Sequence, residues 1–248
     1  MLTRKPTILR VVPAAPEYAE RQSKLMEHVY GGRASHASQM FTPAQFRHHT
    51  AVFPEGQYVA LHGDNVVGLT VSMRIRFDPA HPFIEPWWDT VGAGWLRHLP
   101  DGDWLYGVES CVHPSYQGRG IGGVLIKART DTARLLNLRG MVAGSTLLDY
   151  QQAASIATPE EYVQGVVAGR WFDTNLSKQL KKGFRAGPVI PDYVTDPTAL
   201  GWGAIILWDN PDYNPHKRSR KRLPKGAAGR VYEVTLKPKR RKKGKKGA

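Results

Sequence analysis

A mixed α/β domain followed by a basic tail is what this sequence of 248 residues predicts, and three observations carry the prediction. Between residues 104 and 140 a strand-like run passes through a glycine-rich turn into a helix-like run. Elsewhere, short stretches of β-branched and aromatic residues alternate with stretches of 3.6-residue apolar period. The formal net charge of +14 is concentrated at one end of the chain.

Taken in order, Thr7 to Val12 reads as a first strand and Pro16 to Val29 as a helix with Pro16 in its first turn. A second helix is predicted from Thr42 to Val52, with Thr42 as cap, Pro43 at the first helical position and Gln45 three residues after the cap. Gln57 to His62 and Val66 to Arg76 form a hairpin through Gly63-Asp64-Asn65. Trp104 to Val112 has the composition of a buried strand. After it, Ile121, Val124, Leu125, Ala128, Leu135 and Leu136 share one helix face, up to a stop at Asn137 to Gly140. Met141 to Ser145 is the next strand, and Phe184 to Ile190 with Ala204 to Asp209 suits a closing pair. Two long segments interrupt this frame. Phe77 to Asp103, with Trp87, Trp88, Trp95, His81 and His98, either walls an acceptor pocket or covers an edge of the sheet, with covering weighed ahead. Leu147 to Asp173 is expected to form a lid.

The turn Gln117-Gly118-Arg119-Gly120-Ile121-Gly122 sits directly between strand and helix. Its glycines lack a Cβ, so a bulky anion can approach the backbone N–H groups of a helix start, where the helix dipole favours negative charge. Arg119 adds a full positive charge. With its flanks, the segment reads as a pyrophosphate cradle.

From Val112 to Gly122 the chain resembles the GNAT superfamily of acyl-CoA-dependent N-acyltransferases, whose signature is a strand ending in Val-x-Pro followed by Arg/Gln-x-x-Gly-x-Gly/Ala. More loosely, Glu55 to Ala60, Gly107 to Ser145 and Pro159 to Val163 are similar to the acetyltransferase domain fused to carbon-nitrogen hydrolases in some bacterial proteins. The resemblance spans roughly residues 7 to 213. It implies a mostly antiparallel central sheet with helices on both faces. Acetyl-CoA would be the co-substrate, transferring its acetyl group to a primary amine by direct attack. The cofactor would be held by the backbone of Cys111 and Val112 and by Gln117, Gly118, Arg119, Gly120, Ile121 and Gly122.

Glu109 is the candidate general base. A charge in the middle of an apolar strand is costly unless paired, and a carboxylate there can accept the proton of an attacking amine. The alternative is a structural ion pair with Arg74 or Arg76 on the neighbouring strand. Cys111 reads as a small buried hydrophobe rather than a nucleophile. The tyrosine that the family places four residues before a Gly-Phe pair is replaced here by Gln179, and the asparagine expected eleven residues before that glycine is replaced by Phe172, with Asn175 out of register. A thiol of pKa about 8.5 leaves tolerably without an acid; Tyr150 and Tyr162 are the other proton donors considered. His36, His48, His49, His81 and His98 lack zinc-site spacing, and His113 reads as structural, so no metal is expected.

No apolar run approaches a membrane span, the N-terminus lacks a secretory hydrophobic segment, and one cysteine makes no internal disulfide, so a cytoplasmic location is expected. Residues 214–248 hold 15 of the 35 Lys/Arg and one of the 21 acids, which leaves 20 of each before them. The boundary near Asn210 to Pro215 divides a GNAT-like domain, residues 1–213, from a basic flexible tail, residues 214–248, in which Arg230 to Leu236 alternates like a short strand able to dock on the domain. Three functions stay open: N-acetyltransferase, non-catalytic CoA-binding module, and nucleic-acid-associated protein acting through the tail. The oligomeric state is not legible, and a homodimer is open. RNA or DNA is the partner the tail's charge suits; a solubility role and acetylation of its own lysines are the alternatives. Removing residues 214–248 is therefore expected to abolish retention on RNA or DNA at low salt and to leave acetyl-CoA binding intact; a filter-binding titration against salt checks it.

Overall fold

The computed structural model describes residues 8–31, 39–224 and 226–236. Eight strands make one sheet: β1 (Ile8–Pro13), β2 (Tyr58–His62), β3 (Asn65–Ile75), β4 (Trp104–Val112), β5 (Gly140–Thr146), β6 (Arg185–Ile190), β7 (Gly203–Asp209) and β8 (Tyr232–Thr235). Their spatial order is β6-β7-β5-β4-β3-β2-β1-β8, antiparallel at every junction except the parallel pair β4 and β5. The expected mixed, mostly antiparallel sheet is the observed one, and β8 is the strand-like alternation anticipated at Arg230 to Leu236.

Strand periodicity divides the core between the two faces. Val59, Leu61, Leu69, Val71 and Met73 pack on one face with Leu25 and Met26 of α1 (Ala19–Tyr30) and Phe46 of α2 (Pro43–Val52). The complete Thr42/Gln45 capping box starts α2 as its sequence requires. The segment Phe77 to Asp103 covers this same face: α3 (Trp87–Thr90) buries Trp87, and Val91 and Leu96 join the core. On the other face Tyr58, Ala60 and Leu9 pack on Ile121, Leu125 and Ala128 of α4 (Ile121–Leu135).

Leu147 to Asp173 is not a lid. It folds into a turn and α5 (Pro159–Val167), which has its own Thr158/Glu161 capping box. Its Tyr150, Tyr162, Val163 and Val166 sit in a core cluster with Met141 and Ala143 of β5 and Leu176 of α6 (Leu176–Leu180). Its apolar positions are its means of attachment.

Composition suggests a flexible tail from residue 214, yet residues 214–224 and 226–236 lie against the domain. Asn137 Nδ2 donates to the carbonyls of Asn214 (3.0 Å) and Lys217 (2.7 Å). Arg74, 1% exposed, donates to the carbonyls of Gly102 and Arg220 and to Ser219 Oγ. Arg222 pairs with Glu55 at 3.2 Å. Asp131 of α4 accepts from Lys127 (2.6 Å), Tyr232 (3.1 Å) and Arg230 (3.3 Å). β8 then pairs with β1, and Val234 is buried. The basic run after Leu236 lies outside the described residues.

Deleting residues 214–248 removes β8 and two partners of the buried Arg74 guanidinium. Breaking a buried charge's partnership typically costs about 3–5 kcal/mol, which for a domain of this size lowers the melting temperature by about 6 °C or more. Deleting only residues 237–248 is expected to leave the melting temperature within about 1 °C; differential scanning calorimetry of the two truncations checks both.

Candidate functional site

The site is a wedge between β4 and β5. The two strands pair only where Trp104 to Tyr106 meets Gly140 to Val142. Beyond that, β4 continues against β3 through a bulge: Ser72 faces Gly107 and Val71 faces Glu109, so Val108 is the extra residue. A bulge bends its strand and sharpens its twist, turning the second half of β4 away from β5, which continues against β7 to Thr146. Carbonyls of the diverging strand are taken up by other groups. Val108 O accepts from the Trp87 indole at 2.9 Å, Glu109 O from the Thr70 hydroxyl at 3.0 Å and from Arg129, and Val112 O from the Gln117 amide at 3.0 Å.

Glu109 directly follows the bulge residue, half-buried on the face that α1 covers. Its Oε1 accepts from Tyr30 Oη and from the Ser110 N–H, each at 2.8 Å. Burial raises its carboxyl above the ordinary glutamate value, while the Tyr30 hydrogen bond and the Arg129 charge pull the other way. The structural alternative for Glu109 is excluded: Arg74 is occupied by carbonyls, and Arg76 pairs with Asp101 at 2.5 Å.

Arg129, two turns along α4, was not marked by the sequence reading. It is 5% exposed and its guanidinium donates to the carbonyls of Val71 (2.6 Å) and Glu109. A Cβ on Gly107 would lie 3.2 Å from one of its nitrogens, so Gly107 makes the room it occupies. Burial lowers its pKa to about 10, which keeps it cationic at neutral pH, a fixed positive charge behind the Glu109 peptide.

The glycine turn read as a cradle lies at the far end of β4, at the start of α4. Gly118 and Gly120 have φ of +73° and +100°, conformations that L side chains rarely adopt. Gly120 caps α4 without any side-chain cap bond, and the space where Cβ atoms of Gly118 and Gly122 would project is open. A cation the sequence did not flag reaches this place: Lys182 Nζ, from the turn after α6, lies 2.9 Å from where a Cβ on Gly123 would be.

The other candidates fall outside the wedge chemistry. Cys111 is buried in the core, and burial pushes its thiol well up, so it is no nucleophile at neutral pH. Tyr150 donates to the Ala157 carbonyl and Tyr162 to Asp173, both inside the α5 cluster, so neither reaches the wedge. Gln179 lies on α6, while Phe172 is exposed beneath Lys181. His49 and His98 are held down to about 4 by burial and are neutral; His113 Nδ1 accepts the Ser115 N–H. His36 lies outside the described residues. Among those described, no three His, Cys, Asp or Glu side chains form a metal-binding group, and no helix is long and apolar enough to cross a membrane.

The model of the acetyltransferase (GNAT) family matches residues 24–157, which contain the bulge, Glu109 and the cradle. The chain belongs to the GNAT family. Its sequence is 36% identical over 174 residues to the probable hydrolase YhcX of Bacillus subtilis, covering 69% of this chain and 34% of YhcX, so the chain spans about a third of that relative. It is 28% identical over 175 residues to the uncharacterized N-acetyltransferase YkwB of the same organism, covering 70% of this chain and 77% of YkwB. Among solved structures it is similar to the GphF GNAT-like decarboxylase in complex with isobutyryl-CoA, with a TM-score of 0.65 and 24% identity over 80% of this chain and 98% of that one. At that identity the likeness shows the fold.

Because the Tyr30 hydrogen bond favours the Glu109 carboxylate, Tyr30→Phe removes a stabiliser of the charged form and leaves desolvation in place. The Glu109 carboxyl is then expected to hold its proton to higher pH than in the wild type. Carbon-13 NMR titration of the Glu109 side chain reads this directly, as an upward displacement of the midpoint.

Proposed function

We propose that this protein transfers the acetyl group of acetyl-CoA to a primary amine inside the β4–β5 wedge, with Glu109 as general base. The observation that carries the reading is the position of Glu109: a carboxyl of raised pKa beside the bulge, at one end of the β4 stretch that β5 does not pair and whose other end is the glycine turn before α4. From Val112 back to Gly107 is five strand steps, about 17 Å at about 3.3 Å each, a span that suits an extended pantetheine arm. In this reading the backbone of Cys111 and Val112 pairs with the arm, and Gln117, Gly118, Arg119, Gly120, Ile121 and Gly122 take the pyrophosphate, the glycines by admitting it and the α4 start by its N–H groups and dipole.

The chemistry then follows from the geometry. The amine lone pair attacks the thioester carbonyl, Glu109 accepts the proton the amine sheds, directly or through a water, and the tetrahedral intermediate expels the CoA thiolate. A carboxyl whose pKa burial raises is a stronger base than a free glutamate. A thiolate of parent pKa about 8.5 is a tolerable leaving group, so the missing tyrosine at Gln179 does not block the route. YkwB's description as an N-acetyltransferase and the isobutyryl-CoA bound by GphF both support an acyl-CoA reaction.

Glu109→Gln keeps the shape and the Tyr30 and Ser110 acceptor but loses proton acceptance. Turnover of an acetylated amine is expected to fall about 10²- to 10⁴-fold with acetyl-CoA affinity nearly unchanged, and wild-type turnover across the pH range would remove Glu109 from the chemistry. Gly120→Glu places a carboxylate at the helix start and is expected to weaken acetyl-CoA binding at least tenfold by calorimetry. Nucleic-acid binding through the basic tail is a separate proposal, carried by charge alone. Its proper test removes residues 237–248 only, since residues 214–224 and 226–236 lie against the domain and include β8.

A further inference from the structure

The wedge closes at its base on two tyrosines, one of which belongs to neither strand. Tyr106 is the last β4 residue paired with β5. Tyr193 comes from the connection between β6 and β7 and is held at both main-chain ends, its N–H donating to Gly201 O at 2.7 Å and its carbonyl accepting from Trp87 N at 2.9 Å. Both side chains are buried, at 2% and 4% exposure. Tyr106 and Tyr193 belong to the same core cluster, and Gly144 is the first β5 position but one beyond the paired stretch. Tyr193 lies flat against that position: a Cβ on Gly144 would collide with its hydroxyl, and a Cβ on Gly203 would lie 2.5 Å from its ring. Two glycines on adjacent strands thus leave a slot that one phenol fills.

The direction of the cofactor arm decides what meets this phenol, and on this point the inference rests on the acetyl-CoA reading above. An arm that begins at the cradle and follows β4 back from Val112 sets its thioester beside Glu109 and Val108. The acyl chain then continues along the strand direction toward Tyr106 and Tyr193. We propose that Tyr193 is the acyl-size determinant of this enzyme, a stop that admits acetyl and rejects longer chains. Its fixed main chain and its fit against Gly144 and Gly203 prevent it from swinging aside. An added methylene at such a stop costs roughly tenfold or more in recognition.

The test needs no acceptor. Calorimetric titration of wild type, Tyr193→Phe, Tyr193→Leu and Tyr193→Ala with CoA, acetyl-CoA, butyryl-CoA and hexanoyl-CoA separates the cofactor site from the acyl stop. Wild type and Tyr193→Phe are expected to bind CoA and acetyl-CoA alike and to lose roughly tenfold or more at butyryl-CoA. Tyr193→Leu and Tyr193→Ala are expected to gain at least about tenfold for hexanoyl-CoA relative to acetyl-CoA, with CoA itself unchanged. Tyr193→Leu keeps an apolar side chain in the slot and so serves where alanine unfolds the protein. Equal acyl preference in wild type and Tyr193→Leu, with CoA bound normally by both, overturns the stop. Failure of wild type to bind CoA at all overturns the cofactor reading instead.

Discussion

The geometry of this molecule depends on β4 parting from β5 after three residue pairs. A parallel pair that continued would bury both strand edges, and the sheet would offer no seam. The bulge at Val108 breaks the register, but a bulge leaves carbonyls without ladder partners, and buried carbonyls need donors. Here the donors come from four separate elements: Trp87 from the covering segment, Thr70 from β3, Arg129 from α4 and Gln117 from the cradle. The wedge is therefore held open by side chains that have nothing else in common.

α4 links the two ends of that wedge. Its first turn forms the cradle, and its third turn carries Arg129 against the peptide of Glu109. A helix is stiff over this length, so the place where phosphates would sit and the place where a proton would be accepted are fixed relative to each other by one rod. The polar underside of β3 fits this arrangement. Thr70, Ser72 and Arg74 are buried where an apolar sheet face would be expected, facing a helix that itself buries Arg129, Asp131 and Thr132. Arginines in this seam find carbonyls rather than carboxylates, which leaves the field near Glu109 positive.

Much of this was legible in the sequence. The strand at 104–112, the cradle, the Thr42 cap and Glu109 each had a local signal: composition, glycine spacing, cap spacing, a lone charge in an apolar run. What was hidden is long-range. Nothing near Arg129 distinguishes it from a surface arginine of an amphipathic helix; its burial follows from Gly107, 22 positions earlier and on another element. Tyr30 and Tyr193 reach the site from a helix end and a strand connection, and no spacing rule ties either to Glu109. Leu147 to Asp173 was read as a lid because length alone suggested one, whereas its tyrosines and valines were core residues. The basic segment misled in the opposite sense: its composition argues for solvation, yet Arg222 and Arg230 find buried-side acids at Glu55 and Asp131.

The pairing of β8 with β1 has a consequence for how the chain reaches its native state. Ile8 lies beside Thr235, so β1 waits for a strand synthesised long after it. Loop closure over such a separation adds only slowly to the free energy but strongly to the search time. Until that strand arrives, β1 is an open sheet edge, able to pair with another chain. The same late segment supplies partners to Arg74, so the edge and the buried cation are completed together. The sheet is thus closed by a single late event, and a nascent chain stalled before it is exposed at the edge that the folded domain covers.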